Sequence, residues 1–301
     1  MDTRPVVVAV DGSEHSLKAL EWAIPAALRL SADLVIAHVL PDSTQLWMAR
    51  RSAFGPGPEL TDPVTDRIRT ALSGRDGLPS VRYDSLEGEV PDALHALGAE
   101  ARMLVMGSRG RGGFASLLLG SNSLAMATRA LCPVVVVPPL ARTGEGVRTA
   151  GRVVLGLNLD DTVDDVIEFA FDQAAARGVP LQVISAYPAP PPAGLLVAGE
   201  FPPSTMNPDD YGSVERDARS EQAERLRPFE ERFAPVEVDA VAVAADAAGH
   251  LVDASASAAL IVVGRHRRRL RPGSLLMGSV AHAVLHHAQC PVAVVPVRAA
   301  D

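Results

Sequence analysis

Residues Gly107 to Ser123 read GSRGRGGFASLLLGSNS, placing glycines at 107, 110 and 120 ahead of two hydroxyls, Ser121 and Ser123. An apolar run, Met103-Leu104-Val105-Met106, precedes them, and an apolar-periodic segment, Leu124 to Leu131, follows. The order is strand, glycine-rich loop, helix start, which is an arrangement that traps anions. Glycines let backbone N–H groups approach a phosphate, and a helix N-terminus adds unpaired donors and the positive end of its dipole. Gly107 ends the strand, Gly110, Gly112 and Gly113 keep the loop open, and Gly120 lets the chain pack where the helix begins. Arg109 and Asn122 lie in the same stretch and join the candidate binding residues. The loop is not a Walker A loop, which needs Gly-Lys-Ser/Thr; the only lysine, Lys18, belongs to the first helix. Nor is it the Rossmann dinucleotide fingerprint, which belongs to the first strand–helix turn. That turn here reads Val10-Asp11-Gly12-Ser13. Ser13 suits a helix N-cap, which leaves the Asp11 carboxylate for a ligand.

A second copy of the loop, Gly264 to His282, reads GRHRRRLRPGSLLMGSVAH. Asn158 stands where the first half has Asp11, and Leu159 replaces Gly12. Arg267 occupies the place of the second glycine, one extra residue separates Gly264 from Gly278, and Ala281 removes the second hydroxyl. Arg265, Arg267, Arg268, Arg269 and Arg271 have the fork geometry to clamp phosphate. The preferred reading is a solvated, self-repelling loop that no longer closes on a phosphate, hence one such site per chain.

The loops are one part of a repeat that runs through the chain. Val6-Val7-Val8-Ala9-Val10-Asp11 matches Val153-Val154-Leu155-Gly156-Leu157-Asn158, and Leu20-Glu21-Trp22-Ala23 matches Ile167-Glu168-Phe169-Ala170. The closing segments Cys132-Pro133-Val134-Val135-Val136-Val137-Pro138 and Cys290-Pro291-Val292-Ala293-Val294-Val295-Pro296 agree best. The organisation expected is a domain at 1–140, a glycine-bearing linker at 141–151 and a second domain at 152–298. In the first copy, strands are expected near 5–11, 33–40, 79–86, 102–107 and 133–138, and helices near 14–30, 62–74, 90–101 and 121–131. Continuous apolar strands alternating with helices imply a parallel sheet with right-handed crossovers. The fold class is therefore α/β: two tandem Rossmann-like, doubly wound domains, each on a five-stranded, mainly parallel sheet. Ligands of such sheets bind at the carboxyl ends of the strands, where Asp11 and the Gly107 loop both fall. The Pro- and Gly-rich stretches 41–61 and 188–210 read as long loops beside that crevice.

Composition removes other classes. A chain of 301 residues with 48% hydrophobic content suffices for two cores, and an aromatic content of 4% leaves them to Ala, Val and Leu. A net charge of −8 at pH 7 disfavours nucleic-acid binding. Two cysteines exclude a disulfide framework, and Cys132 and Cys290 read as small buried residues. The N-terminus lacks the apolar core of a signal peptide, and the apolar runs are too short for a membrane span, so a cytoplasmic protein is expected. His282 and His286 share a helix face at i, i+4, but a zinc site wants a third ligand, and no metal site is assigned.

The chain resembles the universal stress protein family in its ATP-binding branch. The family signature G-x2-G-x9-G-(S/T) matches residues 107–121 without a gap, and the opening VVVAVDGSEHSLKALEWA and the closing CPVVVVP are also typical. The resemblance covers nearly the whole chain, in a tandem two-domain form. It implies ATP with Mg²⁺, its phosphates on Gly110, Gly120, Ser121 and Ser123, and Asp11 and the backbone around Val39 near ribose and adenine. Gly107, Arg109 and Asn122 complete the set. It further implies a nucleotide-dependent stress sensor or regulator rather than an enzyme, with hydrolysis slow at most. A homodimer, or an intrachain pseudo-dimer, would form through the last strands, Val134–Val137 and Val292–Val295. The competing reading is a nucleotide-dependent transferase or ATP-cleaving enzyme, with Asp42, Glu87 and Glu89 as positional candidates for an acid or base. A third is an interacting stress protein without a ligand. On the first reading, Gly120→Ala or Gly110→Glu abolishes nucleotide binding and spares the fold.

Overall fold

The computed structural model describes residues 2–40, 62–110, 119–139, 151–188, 208–265 and 277–297. Each half opens on a short β-branched strand whose first three residues are buried, β1 (Val6–Ala9) and β6 (Val153–Gly156). The first half continues with α1 (Glu14–Arg29), β2 (Leu34–Val39), α2 (Pro63–Leu72), β3 (Val81–Leu86), α3 (Val90–Ala99), β4 (Met103–Gly107), α4 (Ser121–Arg129) and β5 (Val134–Val137). The second follows with α5 (Asp164–Arg177), β7 (Leu181–Tyr187), α6 (Pro208–Arg232), β8 (Val238–Ala244), α7 (Ala247–Ala254), β9 (Leu260–Arg265), α8 (Ser279–His287) and β10 (Val292–Pro296).

Local chemistry sets the helix ends. Ser13 caps α1 by accepting from the Ser16 amide at 3.3 Å, with Glu14 in the first turn and Arg29 in the last, both complementing the helix dipole. Asp62 caps α2, accepting from the Val64 amide at 2.9 Å, and Pro63 takes the first helical position, where no N–H is needed. Gly178, at φ 62°, ends α5 in the left-handed conformation.

The strands form one ten-stranded sheet in the order β3-β2-β1-β4-β5-β10-β9-β6-β7-β8. Neighbours within each half are parallel, and among the described strands only β5 and β10 pair antiparallel, with Val135 opposite Ala293. The two five-stranded sheets expected from the sequence are thus fused edge to edge, through the last strand of each repeat. Because the junction is antiparallel, strand carboxyl ends in the two halves point to opposite rims of the sheet. Alternate side chains of β1 enter two different layers. Val6 and Val8 pack in a core with α1, α2, α5 and α6; Val7 packs in one with α3, α4, α7 and α8. Both layers run across the junction. Phe171 is fully buried in the first, stacked on Phe229 and Phe233 at 5.9 and 5.4 Å.

The chain steps outward from β1 through β2 to β3, then returns through α3 to place β4 on the other side of β1. The topological switch point therefore lies between β1 and β4, where the two outgoing loops part and leave a crevice.

Candidate functional site

Both walls of that crevice come from the residues singled out in the sequence. β1 leaves through Asp11, Gly12 and Ser13; β4 leaves through Gly107, Ser108, Arg109 and Gly110. One Asp11 oxygen accepts from the Ser13 amide at 2.9 Å, closing a turn in which Gly12 sits at φ 77°. The other oxygen lies beside the opposite wall, since a Cβ built on Gly110 would fall 2.8 Å from Asp11 Oδ2. Asp11 is therefore partly engaged within its own turn rather than left wholly to a ligand. Gly107 has a different reason to be glycine. A Cβ there would lie 2.6 Å from the carbonyl carbon and oxygen of His15, so the first turn of α1 sits directly on the end of β4.

The loop returns at Gly120, whose amide donates to the Ser108 carbonyl at 2.7 Å. Gly120 caps α4 without any side-chain hydrogen bond, and no acidic residue stands in the first turn of that helix. Neither a side-chain cap nor a first-turn carboxylate answers its positive end. Ser121 and Asn122 are exposed at this end. Ser123 is buried, and its hydroxyl donates to the Gly107 carbonyl at 2.8 Å, so this hydroxyl fastens the helix to the strand end and leaves the backbone amide for an anion. Val39 ends β2, half-buried, beside Leu40, whose amide donates to the Leu86 carbonyl at 2.8 Å. Gly112, Gly113 and Asp42 lie outside the described residues. Glu87 and Glu89 follow β3, the edge strand, two strands and about 10 Å from β1, and are not gathered into the crevice.

One residue of the crevice is missed by sequence reasoning. His15 lies over Gly107, and its Nε2 is sealed from solvent with no hydrogen-bond partner among the described residues. Burial, followed by the nearby Arg109 and Lys18 cations, holds its pKa below the ordinary imidazole value. The available signal is its place two residues after the cap Ser13, in the turn facing the glycine loop.

The universal stress protein family model matches residues 2–138 and again 149–296. The chain belongs to the universal stress protein family. Universal stress protein Rv2005c of Mycobacterium tuberculosis is 33% identical over 296 residues, covering 96% of each chain. Universal stress protein Rv1996 of the same organism is 29% identical over 306 residues, covering 96% of this chain and 94% of its own. Among solved structures, a universal stress protein from Archaeoglobus fulgidus covers 97% of this chain and 96% of its own at a TM-score of 0.63 and 17% identity, a likeness of fold.

The second half of this universal stress protein builds a different rim. The side-chain oxygen of Asn158 accepts from the Asp160 backbone amide at 3.1 Å, and the Asn158 backbone amide donates to the buried Thr162 hydroxyl at 2.9 Å. The turn is longer than in the first half, and Asp160, Asp161, Asp164 and Asp165 crowd it. Asp164 is paired with Arg225 at 2.6 Å, and the remaining carboxylates disfavour an anion, a signal carried by the sequence NLDDTVDD. Arg265 is turned away from any ligand: it is 5% exposed and donates to the Ala130 carbonyl of the first half at 2.7 Å. Arg267, Arg268, Arg269 and Arg271 lie outside the described residues.

Elsewhere the polar groups have structural work. His38 Nδ1 and the Ser85 hydroxyl each lie 2.8 Å from Asp62 Oδ2, at the carboxyl ends of β2 and β3. Ser185, which takes the place of His38 in the second half by register, meets Gln222 at 3.0 Å. The His282 and His286 rings lie tilted to one another with centroids 4.4 Å apart, and among the described residues no three His, Cys, Asp or Glu side chains cluster as a metal site requires. Cys132 and Cys290 are free and buried. Among the described residues no helix is long and apolar enough to cross a membrane.

Proposed function

We propose that the first domain, residues 1–140, binds ATP in the crevice between Asp11 and the Gly107–Ser123 loop. The second domain, residues 152–298, joined through the linker 141–151, carries a degenerate loop and binds none. The observation that carries this reading is the meeting of Asp11, Gly110 and the start of α4, which has no side-chain cap, at the switch point of the sheet. A phosphate fits there on physical grounds: backbone amides of Ser121, Asn122 and Ser123 face it, the dipole of α4 favours it, and Arg109 adds a cation. The glycine at 110 leaves open a space that a side chain would fill. Asp11 would accept from ribose hydroxyls, and the strand-end backbone at Val39 would read an adenine edge. Mg²⁺ would arrive with the triphosphate and be held mainly by it.

The role that follows is a nucleotide-dependent sensor or regulator of the stress response, acting in the cytoplasm, rather than an enzyme. Asp11 is tied into its own turn, and Glu87 and Glu89 stand at the far edge strand, so none of these three described carboxylates supports a general-base role. Both edges of β5 and β10 are occupied within the chain, so a second copy would associate through other surfaces. Mass spectrometry of small molecules released from purified protein, with calorimetric titration of ATP into the stripped chain, tests the assignment. One adenine nucleotide per chain supports it; two per chain, or none, rejects it.

A further inference from the structure

Resting on the nucleotide reading, we propose that His15 is a proton-linked recognition group of the first crevice, whose imidazole meets a phosphate of the incoming nucleotide and takes up a proton as it does so. The geometry begins with Gly107. Its missing side chain lets the backbone of His15 sit on the end of β4, with a Cβ at 107 falling only 2.6 Å from the His15 carbonyl and 2.9 Å from the His15 Cβ. The ring is thereby rooted at the junction of the two walls. Its Nε2 is sealed from solvent with no partner among the described residues. A buried nitrogen in that condition is costly, and such groups are rare unless something else uses them.

The charges around the ring define what that is. Arg109 approaches from the loop after β4, Lys18 and Glu14 from α1 itself, and Asp11 from the turn after β1. Glu14 is engaged by Lys18 at 2.5 Å, and one oxygen of Asp11 by the Ser13 amide at 2.9 Å, which blunts both carboxylates as partners for the ring. Without a ligand the ring is desolvated and faces two cations, conditions that favour the neutral imidazole. A polyphosphate reverses the local charge. An anion within about 4–6 Å raises the pKa of its neighbour by about 1–3 units, enough to carry a histidine across neutral pH. The equivalent position of the second half is Thr162, whose hydroxyl accepts from the Asn158 backbone amide, so no imidazole stands there.

Titrating ATP into the full-length protein at pH 7, in two buffers of different ionisation enthalpy, reads the protons taken up on binding. The expected result is about half a proton or more per nucleotide in the wild type. In His15→Gln the uptake falls below about a tenth of a proton, and the affinity weakens about three- to tenfold. Protons that belong to the nucleotide itself remain in both proteins and cancel in the comparison. A second measurement needs no variant: in histidine-labelled wild type, the His15 imidazole nitrogen shifts move from neutral to protonated values when ATP is added. Binding with equal proton uptake in the two proteins, or an imidazole that stays neutral, overturns this inference while sparing the nucleotide reading. Absence of any nucleotide binding by the wild type overturns both.

Discussion

Arg265 donates a 2.7 Å hydrogen bond to the carbonyl of Ala130, the residue that closes α4, across the junction of the two halves. The N-terminus of the same helix forms the floor of the candidate nucleotide site. A guanidinium at a helix C-terminus answers both an orphan carbonyl and the negative end of the dipole. One short helix thus carries a proposed ligand at one end and the second half of the chain at the other.

Replacing Arg265 by Met keeps the apolar volume and removes the donor, leaving the Ala130 carbonyl without it in a buried place. The expected cost is about 1.5–3 kcal/mol, read as a lower urea midpoint with unchanged slope. ATP affinity should also weaken, because α4 loses its anchor. An unchanged midpoint would mean that the contact contributes nothing to stability.

The three glycines of the loop should separate on substitution. Gly107→Ala puts a methyl 2.6 Å from the His15 backbone, which cannot swing aside, and should cost about 1–3 kcal/mol of stability. Gly110→Glu brings a carboxylate beside Asp11 and should abolish ATP binding with the melting temperature little changed. Gly120→Ala meets Arg109 Cα and the Ser108 carbonyl at 3.4 Å with an ordinary backbone, so binding should weaken rather than vanish. That is milder than the loop sequence alone suggests. Calorimetry beside thermal melts orders the three.

Acid should weaken the first half through Asp62. Burial pushes that carboxyl up, but hydrogen bonds from His38, Ser85 and the Val64 amide together outweigh it and hold the carboxyl below its ordinary value. A carboxyl depressed in the folded state stabilises the fold above its unfolded pKa, near 3.9, and loses that contribution as pH falls towards the folded value. Stability measured by urea at pH 5, 4 and 3 should therefore fall more steeply in the wild type than in Asp62→Asn. Parallel curves would remove Asp62 as the cause.

Both thiols should be inert in the folded protein. Burial pushes Cys132 up to about 11 and Cys290 up to about 12, so neither forms the reactive thiolate near neutral pH. A thiol reagent at pH 8 should leave both unmodified in the native chain and modify both after unfolding in guanidinium. Rapid native labelling of either would contradict their placement.

What the sequence discloses and what it withholds have physical reasons. Strand and helix positions in the first half follow from apolar runs and periodicity, because those patterns encode burial directly. The pairing of Asp11 with Gly110 is also legible, since strand order in a doubly wound sheet brings the first and fourth loops together. The hydroxyl of Ser123 is different. Its type suggests a phosphate donor, and only coordinates reveal the Gly107 carbonyl within reach. Arg265 reads as part of a basic loop, yet the antiparallel junction turns it towards Ala130; no local pattern records a contact between residues so distant in the chain. His15 is not legible, because a histidine on a helix start carries no periodic or motif signal of its own.

Register places Ser108 in the first half where Arg265 stands in the second, and its short hydroxyl, also buried, has no partner among the described residues. The grip on a neighbouring helix is therefore made in one direction. Two identical subunits across a two-fold axis would have to make it twice or not at all. Carrying both halves on one chain releases them from that equality, so one copy can hold while the other binds. The joint is also intramolecular, and dilution cannot part it.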